Sequence, residues 1–198
     1  MLANAAPRRQ LEGVARPIGA LTLAAVIGLL VLPFVTTFNE LLTRVAMGVG
    51  LDALLGTWVA PALGGLVHGA LALFGFTSGT DGSLLTIARD GRMTTIYISW
   101  NCVGWQTVIL FALSALTGLQ GAYTVASRIE TFIVGLLGVF LLNIARIALV
   151  AVVAWGFGTG PAIVVHDYGS LILSVGFLFA FWAVAYRALL VPVTSGTD

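Results

Sequence analysis

Three residues of this chain have side chains suited to acyl transfer: Cys102, Arg146 and His166. Cys102 is the only cysteine, and it stands between a polar, β-rich stretch and a long apolar one. A thiolate at a helix N-terminus is favoured by the helix dipole and by a nearby cation. The guanidinium of Arg146 is a fixed positive charge for that thiolate or for an oxyanion. The imidazole of His166 carries protons, so the three side chains together suit catalysis through a thioester.

Helix geometry places these three residues at similar depth near one face of a membrane. At a rise of about 1.5 Å per residue, Cys102, Arg146 and His166 lie roughly 28, 24 and 31 Å above the opposite edges of their segments. Consecutive helices joined by short loops usually pack as neighbours, so we expect the side chains to meet. Taken singly, the thiol is more often an apolar filler and the histidine an interfacial residue. The arginine could snorkel to the interface, but a charge within a span is by default a functional candidate.

Two polar neighbours are predicted to support the site. Asn143 shares a helix face with Arg146, where it either orients the guanidinium or bonds a neighbouring helix. Asp167 either polarises His166 or caps the last helix, and the cap is the interpretation we favour. His68 has no such company and is assigned a structural role. The remaining glycine-rich stretches, at Gly135, Gly138 and Gly169, match no phosphate loop and are attributed to close helix packing. We expect neither a cofactor nor a metal ion.

The composition indicates an integral membrane protein. Of the 198 residues, 59% are hydrophobic and only 9% are charged, whereas soluble domains carry about 25% charged residues. The net charge of +1 provides no surface for nucleic acid. Membrane lipids are therefore the expected surroundings.

The hydropathy pattern predicts an all-α polytopic membrane protein with four transmembrane helices. Arginines in the polar tail of residues 1–16 place that tail in the cytoplasm. The four spans are residues 17–38, 103–119, 131–157 and 168–186. Residues 41–76 are either a two-helix re-entry broken at Pro61, which raises the count to six, or an amphipathic helix on the outer surface. Residues 17–190 are expected to form one membrane-embedded domain, followed by a cytoplasmic tail at 191–198.

A short extracytoplasmic segment, residues 77–101, is predicted to deliver the chain to Cys102. Residues 77–83 have the composition of a loop. Leu84–Ala88 and Met93–Trp100 are β-rich, and the Asp90-Gly91 pair between them is a strong hairpin signal. A second loop, residues 158–165, is expected before His166. Because the inner loops carry Arg128 and Arg187, the thiol and the imidazole fall on the extracytoplasmic side of the cell membrane.

The motifs Asn101-Cys102-Val103-Gly104 and Asn143-Ile144-Ala145-Arg146-Ile147, followed by His166 ahead of a final span, resemble the exosortase/archaeosortase family. The resemblance covers roughly residues 57–187. It implies a cysteine protease or transpeptidase of a prokaryotic plasma membrane, whose catalytic residues are Cys102, Arg146 and His166. Members of that family often have Ser or Thr directly after the cysteine, whereas this chain has Val103.

The same resemblance implies a class of substrate. Such enzymes recognise secreted proteins with a C-terminal sorting tail, which consists of a short motif, a transmembrane helix and a basic cluster. They cleave near the motif and transfer the new C-terminus to a lipid or other surface acceptor.

Two non-enzymatic alternatives account for the same composition. In a small transporter or channel subunit, Arg146 would line a polar path and Cys102 would be dispensable. In an assembly factor with a degenerate site, the residue after the cysteine would be free to change, as at Val103. No inverted repeat supports the transporter.

Overall fold

The structure is a computed structural model that describes residues 37 and 40–193. The chain from Gly50 onward forms one compact unit, and the residues before Gly50 belong to a separate one. In that separate unit, residues 40–48 are helical and Arg44 lies 4.0 Å from Glu40. The predicted tail at 1–16 lies outside the described residues, as does almost all of the predicted span at 17–38.

Within the described residues, four helices are long and apolar enough to cross a membrane. They are Leu51–Leu73 (α1), Trp105–Gly118 (α2, extended to Trp100 by a 3₁₀ turn), Val125–Phe157 (α3) and Thr159–Leu189 (α4). The last three overlap predicted spans. The break expected at Pro61 is absent, because the chain widens into a π turn at Leu55–Val59 and the proline enters the next helical turn at its start.

A three-stranded antiparallel sheet follows α1. Its strands are Thr77–Asp81 (β1), Leu84–Arg89 (β2) and Arg92–Tyr97 (β3), in the order β1-β2-β3. The predicted hairpin is present: Asp90 and Gly91 have φ angles of 52° and 74°, the left-handed pair of a type I′ turn. The loop predicted for residues 77–83 is wrong, because most of it is β1. This polar strand forms by pairing with the edge of β2 rather than through an apolar pattern of its own.

The unit has two apolar cores, one of which contains Cys102. The sheet core joins one face of α1 and the inner face of the sheet to the C-terminal half of α3. Its buried members are Ala60, Leu63, Val67, Leu71, Phe76, Leu85, Ile87, Ile98, Cys102, Ile147 and Ala151. The aromatic core joins α2, the N-terminal half of α3 and α4. It is centred on Phe111, Val139, Phe181 and Ala185.

Helix α3 is shared by both cores. Thr124 caps its N-terminus by accepting a hydrogen bond from the Ser127 N–H at 3.3 Å. Its 33 residues correspond to a length of about 50 Å, whereas the hydrocarbon layer of a membrane is about 30 Å thick. Residues 191–193 were expected to belong to a tail, but they pair with residues 122–124 beside the start of this helix.

Candidate active site

Cys102 lies where β3 gives way to α2. Residues Trp100–Val103 form a 3₁₀ turn in which the Cys102 N–H donates to the Ser99 carbonyl at 2.9 Å. Gly104 then adopts φ 82°, a left-handed conformation that turns the chain into α2. The cysteine is 9% exposed, so the thiol lies under the surface, at the junction of a strand and a helix.

Ser99 is a site residue that the sequence analysis missed. Its hydroxyl lies 3.3 Å from the Cys102 sulfur. Side chains three residues apart eclipse one another in a 3₁₀ turn, which is why a serine at this spacing reaches the thiol. The Ser-x-x-Cys spacing carries the signal, but only once the turn is known to be 3₁₀ rather than α-helical.

Asn143 fixes the position of the cysteine turn. Its side-chain N–H donates to the Val103 carbonyl at 2.9 Å, and the residue is 5% exposed. The other side of the amide lies against Gly104, where an added Cβ would be 2.7 Å from the Asn143 oxygen. Two roles were predicted for Asn143, and the structure shows the second, a hydrogen bond to a neighbouring segment.

His166 contacts the thiol from α4. Its Nε2 atom lies 3.3 Å from the Cys102 sulfur. The loop predicted for residues 158–165 is wrong, because only Gly158, with φ 87° and ψ 179°, interrupts the helices. His166 therefore lies inside α4, in a π turn at Val165–Gly169. Such turns occur frequently at functional sites, since they change which side chains face inward.

Asp167 contacts the other nitrogen of the same imidazole. Its Oδ1 atom lies 2.8 Å from the His166 Nδ1 atom. The prediction that Asp167 caps the last helix is wrong, because that helix begins eight residues earlier, at Thr159. The side chains of His166 and Asp167 are 31% and 56% exposed, so this end of the site is open while the thiol is covered.

Arg146 approaches the imidazole from α3. One guanidinium nitrogen lies 3.5 Å from the His166 Nε2 atom, the same atom that faces the sulfur. The Arg146 Nε atom is buried and has no hydrogen-bond partner among the described residues. A shallow depression with no room for a water molecule lies beside the guanidinium, on the side of the aromatic core. It is lined by Thr107, Val139, Leu142, Asn143, Arg146, Leu173 and Ser174.

Other residues singled out in the sequence lie apart from the thiol. His68 bonds the Ser78 hydroxyl at 2.7 Å, in keeping with a structural role. Gly135 and Gly138 allow the rings of Phe111 and Phe177 to approach, as expected of close packing. Gly169 meets only a side chain of its own helix, so close packing between helices does not explain it.

The described residues contain no group of three or more His, Cys, Asp or Glu side chains placed to hold a metal ion. Compared with known proteins, the chain matches no family model, no curated protein and no solved structure. Its chemistry must therefore be argued from the side chains that meet at Cys102.

Proposed function

We propose that the chain is a membrane-embedded cysteine peptidase and transpeptidase of the exosortase/archaeosortase type. The observation that carries this proposal is the thiol of Cys102 at 3.3 Å from the His166 imidazole, whose far nitrogen meets Asp167 at 2.8 Å. A nucleophile, a base and a group that orients the base are the parts of nucleophilic catalysis.

The contacts support one arrangement of the protons in the resting site. Asp167 accepts the N–H of His166 Nδ1, so the lone pair of Nε2 faces the thiol and receives its proton. The hydroxyl of Ser99, on the other side of the sulfur, donates to the resulting thiolate. Arg146 adds a positive charge that neither gains nor loses a proton.

The reaction then follows in two halves. The thiolate attacks the substrate carbonyl, a carbon–sulfur bond forms, and Arg146 stabilises the oxyanion. As the carbon–nitrogen bond breaks, the imidazolium of His166 gives its proton to the departing amine, and a thioester remains on Cys102. An acceptor hydroxyl or amine attacks that thioester, its proton passes to Nε2, and the thiolate leaves as the new bond forms.

Secreted proteins with a C-terminal sorting tail are the proposed substrates, and a lipid or other surface group is the proposed acceptor. The position of the thiol at the start of α2 supports this class, because a tail that enters the membrane would pass the sulfur at the membrane boundary. The full length of α3 is about 50 Å, so its C-terminal third extends beyond the hydrocarbon layer together with the sheet.

The sheet also bears on orientation. Strands β1 and β3 are both edges, and unpaired backbone groups cost several kcal/mol each in hydrocarbon. Helix α1 packs along this sheet through Leu63, Val67 and Leu71. We therefore place α1 at the outer surface with the sheet rather than across the membrane, despite its apolar length. Arg128 and Arg187 lie at the ends of α3 and α4 away from the sheet, and arginines favour the cytoplasmic side, so the site then faces the extracytoplasmic side.

Labelling with a membrane-impermeant maleimide tests this orientation. Thr80→Cys in the sheet and Gln120→Cys at the other end of α2 are each made in a Cys102→Ala background. Thr80→Cys should react in intact cells, and Gln120→Cys only after permeabilisation. The reverse pattern would overturn the orientation and, with it, the secreted substrates.

The activity is tested by comparing cells that carry the wild type, Cys102→Ala or Cys102→Ser. We expect a set of secreted proteins to retain their C-terminal tails in both variants, while both variants fold and insert as the wild type does. Neutral hydroxylamine added to wild-type membranes should replace the acceptor and leave hydroxamates at the cleaved termini. Normal processing by Cys102→Ala would refute the proposal and favour a channel subunit or an assembly factor.

A further inference from the structure

Among the residues that the structure describes, strand β3 has one edge that no other strand covers. The closing pair Arg89↔Arg92 sets the ladder, so that Arg92, Thr94 and Ile96 bond β2. Met93, Thr95 and Tyr97 therefore direct their N–H and C=O groups away from the sheet. Met93 and Tyr97 are 74% and 65% exposed, so the outer face of β3 is uncovered, and no strand of the described chain pairs with this edge.

The open edge leads directly to the thiol. Tyr97 ends β3, Ile98 still bonds the Ser83 carbonyl at 2.8 Å, and the next residue, Ser99, touches the Cys102 sulfur at 3.3 Å. A strand of this length extends for about 20 Å. A peptide paired along it would have its far end at the nucleophile.

The direction of β3 matches the direction in which a tail would arrive. The strand begins at Arg92, whose carbonyl accepts a bond from Trp155 at 3.4 Å. Trp155 lies nine residues beyond Arg146, about 14 Å farther along α3, on the side away from the aromatic core. A chain that passes from outside towards the membrane therefore runs from Arg92 towards Cys102, parallel to β3.

We propose that the free edge of β3 binds the extended segment of the substrate that precedes the cleaved bond, as an added parallel strand. This inference rests on the proposed peptidase function. Alternating N–H and C=O groups are complementary to another extended peptide. Because edge pairing recognises the peptide backbone, it can hold substrates of many different sequences in one register. Sequence specificity is then set by the side chains that lie nearest the thiol.

A proline substitution removes one donor from this edge. Thr95→Pro deletes the central free N–H and leaves the backbone bonds to β2 intact, because the Thr95 N–H and C=O point away from β2. It also removes the 2.9 Å hydrogen bond between the Thr95 and Thr86 hydroxyls, so Thr95→Val is the control for that loss and should cleave as the wild type does. Thr80→Pro is the backbone control, since the Thr80 N–H points away from the ladder on β1; the Thr80 methyl group lies beside Gly64 of α1. The substrate is a synthetic tail peptide from a secreted protein that remains uncleaved in Cys102→Ala cells.

We expect Thr95→Pro to lower kcat/KM for that peptide about 2- to 12-fold, the effect of one lost hydrogen bond. Thr80→Pro should cleave as the wild type does. Alkylation of the thiol by iodoacetamide should proceed at the wild-type rate in both variants, which separates lost docking from a damaged site.

A second measurement keeps the proposal testable if Thr95→Pro does not fold. Peptides N-methylated at single positions before the cleaved bond are supplied to the wild-type enzyme. Cleavage should fall at every second position, because alternate N–H groups of an added strand face β3. A uniform response along the peptide would overturn the added strand, while cleavage itself would still support the peptidase.

Two further outcomes contradict the proposal. If Thr95→Pro cleaves normally but converts a dimer to monomers, the edge pairs with a second copy of the chain. If no tail peptide is cleaved by the wild type in a Cys102-dependent manner, the peptidase function fails and edge docking fails with it.

Discussion

Replacement of Gly104 by alanine should damage the site through one contact. Gly104 has φ 82°, and an added Cβ would lie 2.7 Å from both Cγ and Oδ1 of Asn143. The left-handed backbone costs alanine about 1–2 kcal/mol. Asn143 must also move, which breaks its 2.9 Å bond to the Val103 carbonyl and leaves buried polar groups unpaired, at about 1–3 kcal/mol.

Gly91→Ala is the matched control for the backbone cost. Gly91 has φ 74°, and nothing lies within 4 Å of its added Cβ. Thermal unfolding in detergent should therefore show an extra loss for Gly104→Ala of about 1–3 kcal/mol. That loss corresponds to roughly 2–12 °C for a chain of this size.

The effect on catalysis should be larger than the effect on stability. A nucleophile misplaced by about 1 Å can lose roughly 10²-fold in rate, and Asn143 holds the turn that carries Cys102. Asn143→Ala in the Gly104→Ala background removes the clash, so the double variant should be no less stable than the sum of its parts predicts. Equal stability and equal processing in Gly104→Ala and Gly91→Ala would refute the role of this contact.

Three further predictions concern the side chains around the sulfur. Ser99→Ala should slow alkylation of the thiol by iodoacetamide about tenfold or more, since a hydrogen bond to a charged group contributes ~1.5 kcal/mol or more. Ser99→Thr keeps the hydroxyl and should restore the rate. An unchanged rate in the alanine variant would show that the hydroxyl does not stabilise the thiolate. Arg146→Lys keeps the charge but loses the planar guanidinium, so substrate processing should fall roughly 10²–10³-fold. Near-normal turnover would indicate that only the positive charge at this position matters, and not the geometry of the guanidinium. His166→Ala and His166→Gln should both slow acylation and remove its pH dependence near neutrality; three identical pH–rate profiles would make the histidine a bystander.

Sequence reasoning predicted the meeting of distant residues because helices have a fixed rise. Arg146 and His166 are separated from Cys102 by 44 and 64 positions, yet depth along each helix follows from counting residues. The Asp90-Gly91 turn was equally predictable, since a type I′ turn demands two left-handed residues.

The remaining features depend on tertiary pairing that no local pattern encodes. Thr77–Asp81 has no apolar alternation and becomes a strand only beside β2. The helix through residues 159–165 forms despite Gly160 and Pro161, because proline fits the first turn of a helix. The π turn around His166, which decides what Asp167 contacts, depends on how α4 packs against its neighbours.

The unbroken helix α3 couples the two cores mechanically. Gly135, beside the aromatic core, and Arg146, at the site, both lie on this helix, eleven residues or about 16 Å apart. A bulky residue at Gly135 must displace the ring of Phe111 or shift helix α3. Because the helix is rigid, that shift would move the Arg146 guanidinium. Inactivating substitutions should therefore occur far from the thiol as well as beside it. Gly135→Val should lower both substrate processing and the midpoint temperature of a single unfolding transition. Two separate unfolding transitions would mean that the two cores unfold independently.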